Sequence, residues 1–296
     1  MKKKIGFIGL GIMGKPMSKN LLKAGYSLVI FDFNKNAVAE VAALGADIGK
    51  SGKDVAEKSE IIITMLPNSP HVKSALFDVD GIVEGAKPGT IVIDMSSIDP
   101  MVSKEISARL KEKKIDFIDA PVSGGEPKAM DATLSIMVGG EEKIFEQVKD
   151  ILFKLGTSVV LVGDIGSGNV TKLANQIIVA LNIAAMSEAF VLATKAGVNP
   201  EKVFTAIKDG LAGSTVLNAK APMVLNRNFK AGFRIELHIK DLMNAMDTAH
   251  KIDVPLPLTG QVLEMMQALK VDGKEKNDHS GLIQYFEKLA GIEVKK

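Results

Sequence analysis

One lysine in this sequence stands where it could do proton chemistry. Lys172 lies near the start of a long apolar stretch, NVTKLANQIIVALNIAAMSEAFVLATKAG, and Asn175 follows three residues later. On a helix these two side chains share one face, because residues three apart are neighbours there. Burial disfavours the charged form of an amine, so a lysine in this setting can act as a general acid. A structural lysine, with a buried stem and its ammonium in water, remains the alternative.

The stretch DAPVSGGEP contains a second candidate group. Ser123 stands beside the paired glycines Gly124 and Gly125, directly after an apolar run. Exposed amides and a hydroxyl at such a turn can hold a carboxylate. An ordinary Pro/Gly turn explains the same residues and stays open. A third candidate is the pair Lys240-Asp241, for which a solvated helix face is the ordinary explanation.

A glycine pattern near the start of the chain predicts a phosphate-binding turn. The motif G-x-G-x-x-G is matched by Gly9-Leu10-Gly11-Ile12-Met13-Gly14. It follows the predicted strand KIGFI and precedes a predicted helix, as a dinucleotide-binding fingerprint requires. Gly9 would make the turn, Gly11 would admit a pyrophosphate, and Gly14 would let the helix pack on the strand. A Walker A loop is excluded, because Pro16 stands where that loop needs a hydroxyl.

Asp32 indicates which dinucleotide the glycine motif would bind. It ends the second apolar run, SLVIFD, where a carboxylate can accept hydrogen bonds from the hydroxyls of an adenosine ribose. A 2′-phosphate would be repelled there, so the sequence predicts NAD, with NADP possible because Lys35 stands nearby. A plain glycine turn followed by a strand-end aspartate is the alternative.

Hydrophobic patterning predicts the elements that position these residues. Over residues 4–162 apolar runs alternate with helical patterns, which predicts an α/β Rossmann-type domain with a mostly parallel sheet. The runs are KIGFIGL, SLVIFD, IIITML, TIVIDM, DFIDAPV, LSIMVGG and SVVLVGD. Strand signals nearly vanish after Gly168, and a long helix ending at Gly197 precedes several shorter ones. We therefore predict a dinucleotide-binding domain over 1–163 and an all-α domain over 164–296.

The long apolar helix raises the question of a membrane. Its stretch is interrupted by the polar residues Lys172, Asn175, Gln176, Asn182 and Glu188, which favours a buried central helix over a transmembrane span. The basic start MKKK resembles the beginning of a secretory leader, but the glycine spacing after it favours a first strand. The sequence therefore predicts no membrane partner.

Charge and composition limit the remaining partners. The chain has 37 Lys and Arg against 35 Asp and Glu, for a net charge of +2, with no long block of one sign. This predicts no nucleic-acid partner and favours a small molecule. The absence of cysteine excludes disulfides and thiolate metal sites and favours a cytoplasmic location. The four histidines show no metal-binding spacing, so we predict no metal.

Six motifs, spread over essentially the whole chain, together resemble the β-hydroxyacid dehydrogenase family. They are GFIGLGIMGKPMSKNLLKAG, ITMLPNSPHV, IDMSSI, DAPVSGGEPKA, GSGNVTKLANQ and FRIELHIKDL. The resemblance implies a Rossmann domain followed by a helical domain for substrate binding and oligomerisation. It implies NAD(P)-dependent interconversion of a short 2- or 3-hydroxy acid with its aldehyde or ketone. A homodimer or homotetramer is implied as well.

The resemblance also assigns roles to individual residues. Lys172 matches the family's catalytic lysine, and Asn175 matches its substrate-side asparagine. The substrate loop is matched by Ser123, Gly124 and Gly125. Besides the motif glycines and Asp32, the matches to cofactor-contacting positions are Ile12, Met13, Met65, Leu66, Pro67 and Ser96. Lys240 matches a lysine near the nicotinamide end, with contacts to substrate and cofactor. A non-catalytic NAD-binding scaffold is the alternative from another class, and Lys172 with Asn175 argues against it.

Overall fold

The computed structural model describes residues 3–296. Contacts between Cα atoms divide the chain into two compact units, one ending at Lys172 and the other beginning at Leu173. The division falls inside a continuous helix, Ser167–Lys195. The predicted boundary between residues 163 and 164 instead coincides with the end of a strand, Gly156–Gly163.

The first unit is built on one sheet, as the sequence predicts. Its strands, in chain order, are β1 (Ile5–Ile8), β2 (Leu28–Phe31), β3 (Asp47–Ile48), β4 (Ile61–Thr64), β5 (Ile91–Asp94), β6 (Asp116–Asp119), β7 (Val122–Ser123), β8 (Leu134–Gly139) and β9 (Gly156–Gly163). Its helices are α1 (Gly14–Lys23), α2 (Lys35–Ala42), α3 (Gly52–Glu57), α4 (Ser69–Phe77), α5 (Ile82–Gly85), α6 (Pro100–Glu112), α7 (Gly125–Met130) and α8 (Glu142–Leu152). The Rossmann-type prediction is confirmed.

The sheet is mostly parallel. Its order is β3-β2-β1-β4-β5-β6-β8-β7, and β9 pairs with β8. The strands from β3 to β6 run parallel, β8 runs antiparallel to β6 and β7, and β9 runs parallel to β8. The sequence analysis missed β3 because that strand has two residues, both exposed, and so carries no hydrophobic signal.

Helices cover both faces of the sheet, which explains why its central strands are apolar throughout. In β4, Ile61 and Ile63 pack into a cluster on one face, whereas Ile62 packs into a cluster on the other. Strands of a parallel sheet covered on both faces have this composition, because every side chain is buried. Ile61, Ile62 and Ile63 all have 0% exposure. The carboxyl ends of these strands carry the glycine loop and the polar residues of the candidate site.

The second unit is helical, again as predicted. After α9 (Ser167–Lys195) come α10 (Pro200–Ile207), α11 (Thr215–Leu225), α12 (Ile235–Lys251), α13 (Pro257–Val271), a 3₁₀ turn (His279–Leu282) and α14 (Ile283–Ala290). Local signals set several starts: the side chain of Asn199 caps α10 and that of Ser214 caps α11. The helices enclose their own core around Phe190, Leu242 and Met266.

The long helix α9 is buried on one side only, which corrects the expectation of a fully buried helix. Its residues Ile183, Met186 and Phe190 belong to the core, whereas Ile178 is 60% and Leu192 72% exposed. Among the described residues, α9 is the helix that is long and apolar enough to cross a membrane by length and composition. Its best 18-residue window has a mean hydropathy of 1.9 and is 33% buried. Hydropathy reports how apolar a segment is, but not which sides of the resulting helix are buried by the same chain.

Candidate active site

The glycine loop between β1 and α1 has a separate physical reason for each glycine. Gly9 has a φ of +98°, and a Cβ there would collide with the backbone oxygen of Met65. A Cβ on Gly14 would collide with the backbone oxygen of Gly9. Both positions therefore need glycine for folding alone.

Gly11 differs from the other two motif glycines. It is exposed, and no protein atom outside its immediate neighbours lies within 4 Å of a Cβ built on it. Packing does not require glycine there, whereas close approach of a ligand to the backbone would. The helix that follows, α1, has no side chain capping its first turn. Bare backbone beside an uncapped helix start fits a pyrophosphate, so this loop is compatible with a dinucleotide. The neighbouring side chains of Ile12 and Met13 are exposed and half-buried.

Asp32 ties the end of β2 to this loop. Its Oδ2 accepts a hydrogen bond from the amide of Leu10 at 2.6 Å, and its Oδ1 accepts one from the amide of Asn34 at 2.6 Å. A carboxylate has about four acceptor positions, so capacity remains for two ribose hydroxyls. The sequence predicted the ribose contact but not the structural role, because the bond to Leu10 joins residues 22 positions apart.

The predicted cofactor residues after β4 are linked to Ser96. Met65 and Leu66 are half-buried, Pro67 is exposed, and the amide of Leu66 donates to the Oγ of Ser96 at 2.9 Å. Ser96 itself is fully buried. Its hydroxyl oxygen therefore supports the Leu66 backbone from inside the protein. A direct contact between Ser96 and the cofactor stays a prediction.

The candidate substrate loop follows β7. Ser123 is half-buried and pairs with Ser135 of β8. Gly124 and Gly125 have φ values of +141° and +68°, and a Cβ on Gly124 would lie 2.6 Å from the Lys128 side chain. The turn thus demands glycine for its own geometry, as the simpler sequence interpretation proposed. Carboxylate binding by this loop is compatible with that geometry and stays a prediction.

Lys172 lies on α9, one turn after the helix begins, and only 6% of its surface is exposed. An ammonium standing out in bulk water does not fit such burial, so the alternative of a merely structural, water-reaching lysine is disfavoured. The preceding turn of the helix is held by Asp119, a buried carboxyl at the end of β6. Burial raises the pKa of Asp119 to about 6.

In the second unit, Asn175 belongs to a chain of hydrogen bonds between α9 and α12. Asn175 donates to the side-chain oxygen of Gln176 at 2.9 Å, and Gln176 donates to Asp241 at 2.6 Å. Lys240 forms an ion pair with Asp241 at 3.0 Å. Asp241 is 2% exposed, so the interpretation of Lys240-Asp241 as a solvated helix face is wrong for the aspartate.

A pair of buried histidines lies beside these hydrogen bonds, and the sequence analysis did not single out this pair. The Nδ1 atoms of His238 and His279 are 2.9 Å apart, and the Nε2 of His238 lies 3.1 Å from the backbone oxygen of Gln176. Because a carbonyl only accepts, we assign the proton of His238 to Nε2, and His279 then donates to its Nδ1. The pair joins residues 41 apart, which no local pattern reveals.

Within residues 3–296 there is no cluster of three or more His, Cys, Asp or Glu side chains that could hold a metal ion.

Two family models match the chain. Residues 4–163 match the NAD binding domain of 6-phosphogluconate dehydrogenase. Residues 166–286 match a model described as the NAD-binding region of NADP-dependent 3-hydroxyisobutyrate dehydrogenase. Together the matches cover most of the sequence.

Individual relatives are similar along nearly the whole chain. The 2-hydroxy-3-oxopropionate reductase of Escherichia coli (strain K12) is 43% identical over 287 residues, which is 97% of this chain and 98% of that protein. The mitochondrial 3-hydroxyisobutyrate dehydrogenase of Bos taurus is 36% identical over 96% of this chain and 87% of its own length. The solved structure of Mycobacterium tuberculosis 3-hydroxyisobutyrate dehydrogenase with L-serine is 31% identical, covers 97% of this chain and 99% of that one, and has a TM-score of 0.90.

Proposed function

Because the chain belongs to the β-hydroxyacid dehydrogenase family and is an NAD(P)-dependent oxidoreductase, we propose that it reduces tartronate semialdehyde (2-hydroxy-3-oxopropanoate) to D-glycerate. The substrate is supported by the 43% identity to a 2-hydroxy-3-oxopropionate reductase along nearly the whole chain. The observation that carries the chemistry is the buried Lys172, 6% exposed, on the helix that begins beside the sheet.

Lys172 acts as the general acid in this proposal. A reduced nicotinamide cofactor, held by the glycine loop and Asp32, would supply the hydride that the aldehyde carbon accepts. As the carbonyl oxygen gains negative charge, the Lys172 ammonium donates a proton to it, which gives the primary alcohol and leaves a neutral amine. The amine then takes a proton from solvent, so the cycle consumes one proton for each aldehyde reduced. A positioned acid of this kind contributes roughly 10²- to 10⁴-fold to the rate.

The remaining predicted residues bind and orient the substrate. The hydroxyl of Ser123 and the amides of Gly124 and Gly125 hold the carboxylate, whose two oxygens accept from such donors. Asn175 orients the substrate through its side-chain amide. Lys240, paired with the buried Asp241, supplies a fixed positive charge for substrate and cofactor. Holding the reacting groups in place is itself a large part of catalysis.

NADH is the proposed preferred cofactor. Asp32 places a carboxylate after β2, beside the glycine loop, and a 2′-phosphate near it would be repelled. Lys35, the first residue of α2, follows Asp32 by three positions, and its positive charge would partly offset the repulsion of a 2′-phosphate. We therefore expect NADPH to bind, but more weakly than NADH.

Oxidation of 3-hydroxyisobutyrate is the second candidate reaction. The TM-score of 0.90 to a 3-hydroxyisobutyrate dehydrogenase and the 36% identity to the bovine enzyme favour it specifically. It would use the same lysine and the same loop with a differently lined pocket, in which Phe233 and Leu237 are candidates to set specificity. Reduction of succinic semialdehyde or glyoxylate belongs to the same class of alternatives.

A comparison of kcat/KM values tests the substrate directly. Purified protein with NADH is assayed by absorbance against tartronate semialdehyde, methylmalonate semialdehyde, succinic semialdehyde and glyoxylate. We expect the highest kcat/KM for tartronate semialdehyde. A higher value for methylmalonate semialdehyde would instead identify a 3-hydroxyisobutyrate dehydrogenase. Tight NADH binding with no turnover of any aldehyde would favour the non-catalytic scaffold.

The exposed side of α9 supports a homodimer or homotetramer. Apolar residues with helical spacing are exposed along it: Val170, Ala174, Ile178, Ala185, Ala189 and Leu192. They extend over about 33 Å at the helical rise per residue, and we propose that a second copy of this chain covers them. Light scattering should give a multiple of the 31.6 kDa chain mass, and Ile178→Lys should reduce it. A monomeric wild type would contradict this.

A further inference from the structure

A buried carboxylate that the proposed chemistry does not use lies against the start of α9. Asp119, the last residue of β6, is fully buried. Its Oδ1 accepts from the amide of Gly166 at 2.7 Å, and its Oδ2 accepts from the amide of Asn169 at 2.8 Å. Amides at a helix start have no partner within the helix. Asp119 therefore caps α9 from a different part of the chain, and its negative charge favours that end of the helix dipole.

Two glycines make room for this carboxylate. A Cβ on Gly139, the last residue of β8, would lie 2.5 Å from the Oδ1 of Asp119. A Cβ on Gly168, in the first turn of α9, would lie 2.9 Å from Oδ2 and would also collide with the backbone oxygen of Met137. Real side chains do not tolerate such distances. The helix start, β6 and β8 can meet this closely only because both positions lack a side chain.

Asn169 holds the same helical turn from its other side. It is fully buried, its Oδ1 accepts from the amide of Ile98 at 3.0 Å, and its Nδ2 donates to Ser103 at 3.2 Å. The first turn of α9 is thus bonded to the segment after β5 and to α6 as well as to Asp119. We call this set of bonds around Asp119 and Asn169 the helix joint.

The helix joint connects the two groups on which the proposed chemistry depends. Lys172 follows Asn169 by three residues, about 4.5 Å along the helix axis. On the other side, Asp119 precedes the loop residue Ser123 by four positions in the chain. A single side chain therefore joins the strand leading into the substrate loop to the helix that carries the lysine.

We propose that Asp119 is a positioning residue that fixes Lys172 relative to the Ser123–Gly125 loop. The inference rests on the proposed role of Lys172 as the acid. Misplacement of a reacting group by about 1 Å can cost on the order of a hundredfold in rate. Loosening the helix joint therefore lowers kcat, whereas NADH binding is retained because the glycine loop and Asp32 follow other strands, β1 and β2.

The test is Asp119→Asn, which keeps the size of the side chain but turns an NH₂ group toward one of the two backbone amides. We expect kcat for the best aldehyde to fall at least about tenfold, with the Kd for NADH changed less than about twofold. The solvent isotope effect on kcat should increase, because proton donation becomes slower relative to other steps. A purely structural residue would not change that isotope effect.

Val148→Ala is the matched control. Val148 is fully buried on α8 in the same unit, where it packs in the apolar cluster that includes Ile118, and it takes part in none of the hydrogen bonds of the helix joint. This variant should lose stability but keep kcat and the isotope effect. If Asp119→Asn unfolds, Asn169→Ala replaces it, since that variant removes the bonds to Ile98 and Ser103 and should show the same loss of kcat. An unchanged kcat and isotope effect in the folded variant overturns the inference.

Amide hydrogen exchange separates this inference from the proposed function. If the wild type reduces none of the aldehydes, the proposed function fails, but exchange at residues 166–172 still tests the helix joint. We expect faster exchange there in Asp119→Asn and no local change in Val148→Ala. Unchanged exchange in Asp119→Asn would show that the carboxylate does not hold the helix start, and the inference would be wrong.

Discussion

Asp94 lies directly opposite Asp119 in the parallel pairing of β5 with β6, and both carboxyls are buried. Asp94 accepts from the hydroxyl of Thr64 at 2.8 Å and from the amide of Ser96 at 3.1 Å through Oδ1. Its Oδ2 has no hydrogen-bond partner among residues 3–296. Burial raises the pKa of Asp94 to about 7 and that of Asp119 to about 6.

Stability should therefore fall as the pH rises through this range. The ordinary pKa of both groups is 3.8, so between that value and about 7 the folded protein keeps protons that the unfolded chain has released. The free energy of unfolding decreases with pH wherever the folded state binds more protons. We expect the contribution of these two carboxyl groups to the free energy of unfolding to be most favourable below pH 4, where both are protonated in the folded and unfolded states. It should become less favourable as the pH rises to about 7 and stay constant above that pH.

Asp94→Asn should weaken this pH dependence, because a neutral amide of the same shape keeps Oδ1 as an acceptor. Urea denaturation at pH 5, 6, 7 and 8 measures it. Relative to wild type, the variant should gain stability at pH 8 by on the order of 1 kcal/mol or more. Parallel pH profiles for the two proteins would mean that Asp94 does not retain its proton on folding.

Gly11 and Gly14 should respond differently to the same change. Gly11→Ala meets no protein atom, so the melting temperature without cofactor should stay the same, whereas NADH should bind at least about tenfold more weakly because the methyl group occupies the approach to the backbone. Gly14→Ala collides with the Gly9 backbone and should be destabilised even without cofactor. Thermal melts and NADH fluorescence titrations check both. Undiminished NADH binding by Gly11→Ala would argue against a pyrophosphate at this loop.

Asp32 should control the choice between NADH and NADPH. Asp32→Ala removes acceptors for the ribose hydroxyls and the repulsion of a 2′-phosphate, so the NADPH:NADH ratio of kcat/KM should rise at least about fivefold. Asp32→Asn is the matched control for the structural bond to Leu10, because it removes the charge and keeps one acceptor. Its ratio should also rise, with a smaller loss of stability. An unchanged ratio in both variants would exclude the ribose contact.

The sheet and the glycine loop were predictable because their signals are local. The run Ile61–Thr64 is apolar throughout since both of its faces are covered, and each motif glycine lies within six residues of the others. The helical unit was predictable for the same reason, with caps such as Asn199 and Ser214 at the expected positions.

The helix joint could not be read from the sequence, because its bonds are long-range. Asp119 binds amides 47 and 50 residues away, and a strand-end aspartate has the same local pattern whether it caps a helix or faces water. Similarly, the hydropathy of α9 predicted burial but could not tell which of its apolar sides this chain covers. The paired strand-end aspartates Asp94 and Asp119 likewise become distinctive only once the fold buries their carboxyl groups.

Replacement of Lys172 tests the central claim most directly. Lys172→Ala and the stem-retaining Lys172→Met are compared with wild type for steady-state reduction of the best aldehyde and for NADH affinity by fluorescence titration. The account predicts that kcat falls at least about a hundredfold in both variants, that NADH affinity is nearly unchanged, and that a small primary amine restores part of the activity of Lys172→Ala. Full turnover by either variant would contradict the assignment of Lys172 as the proton donor.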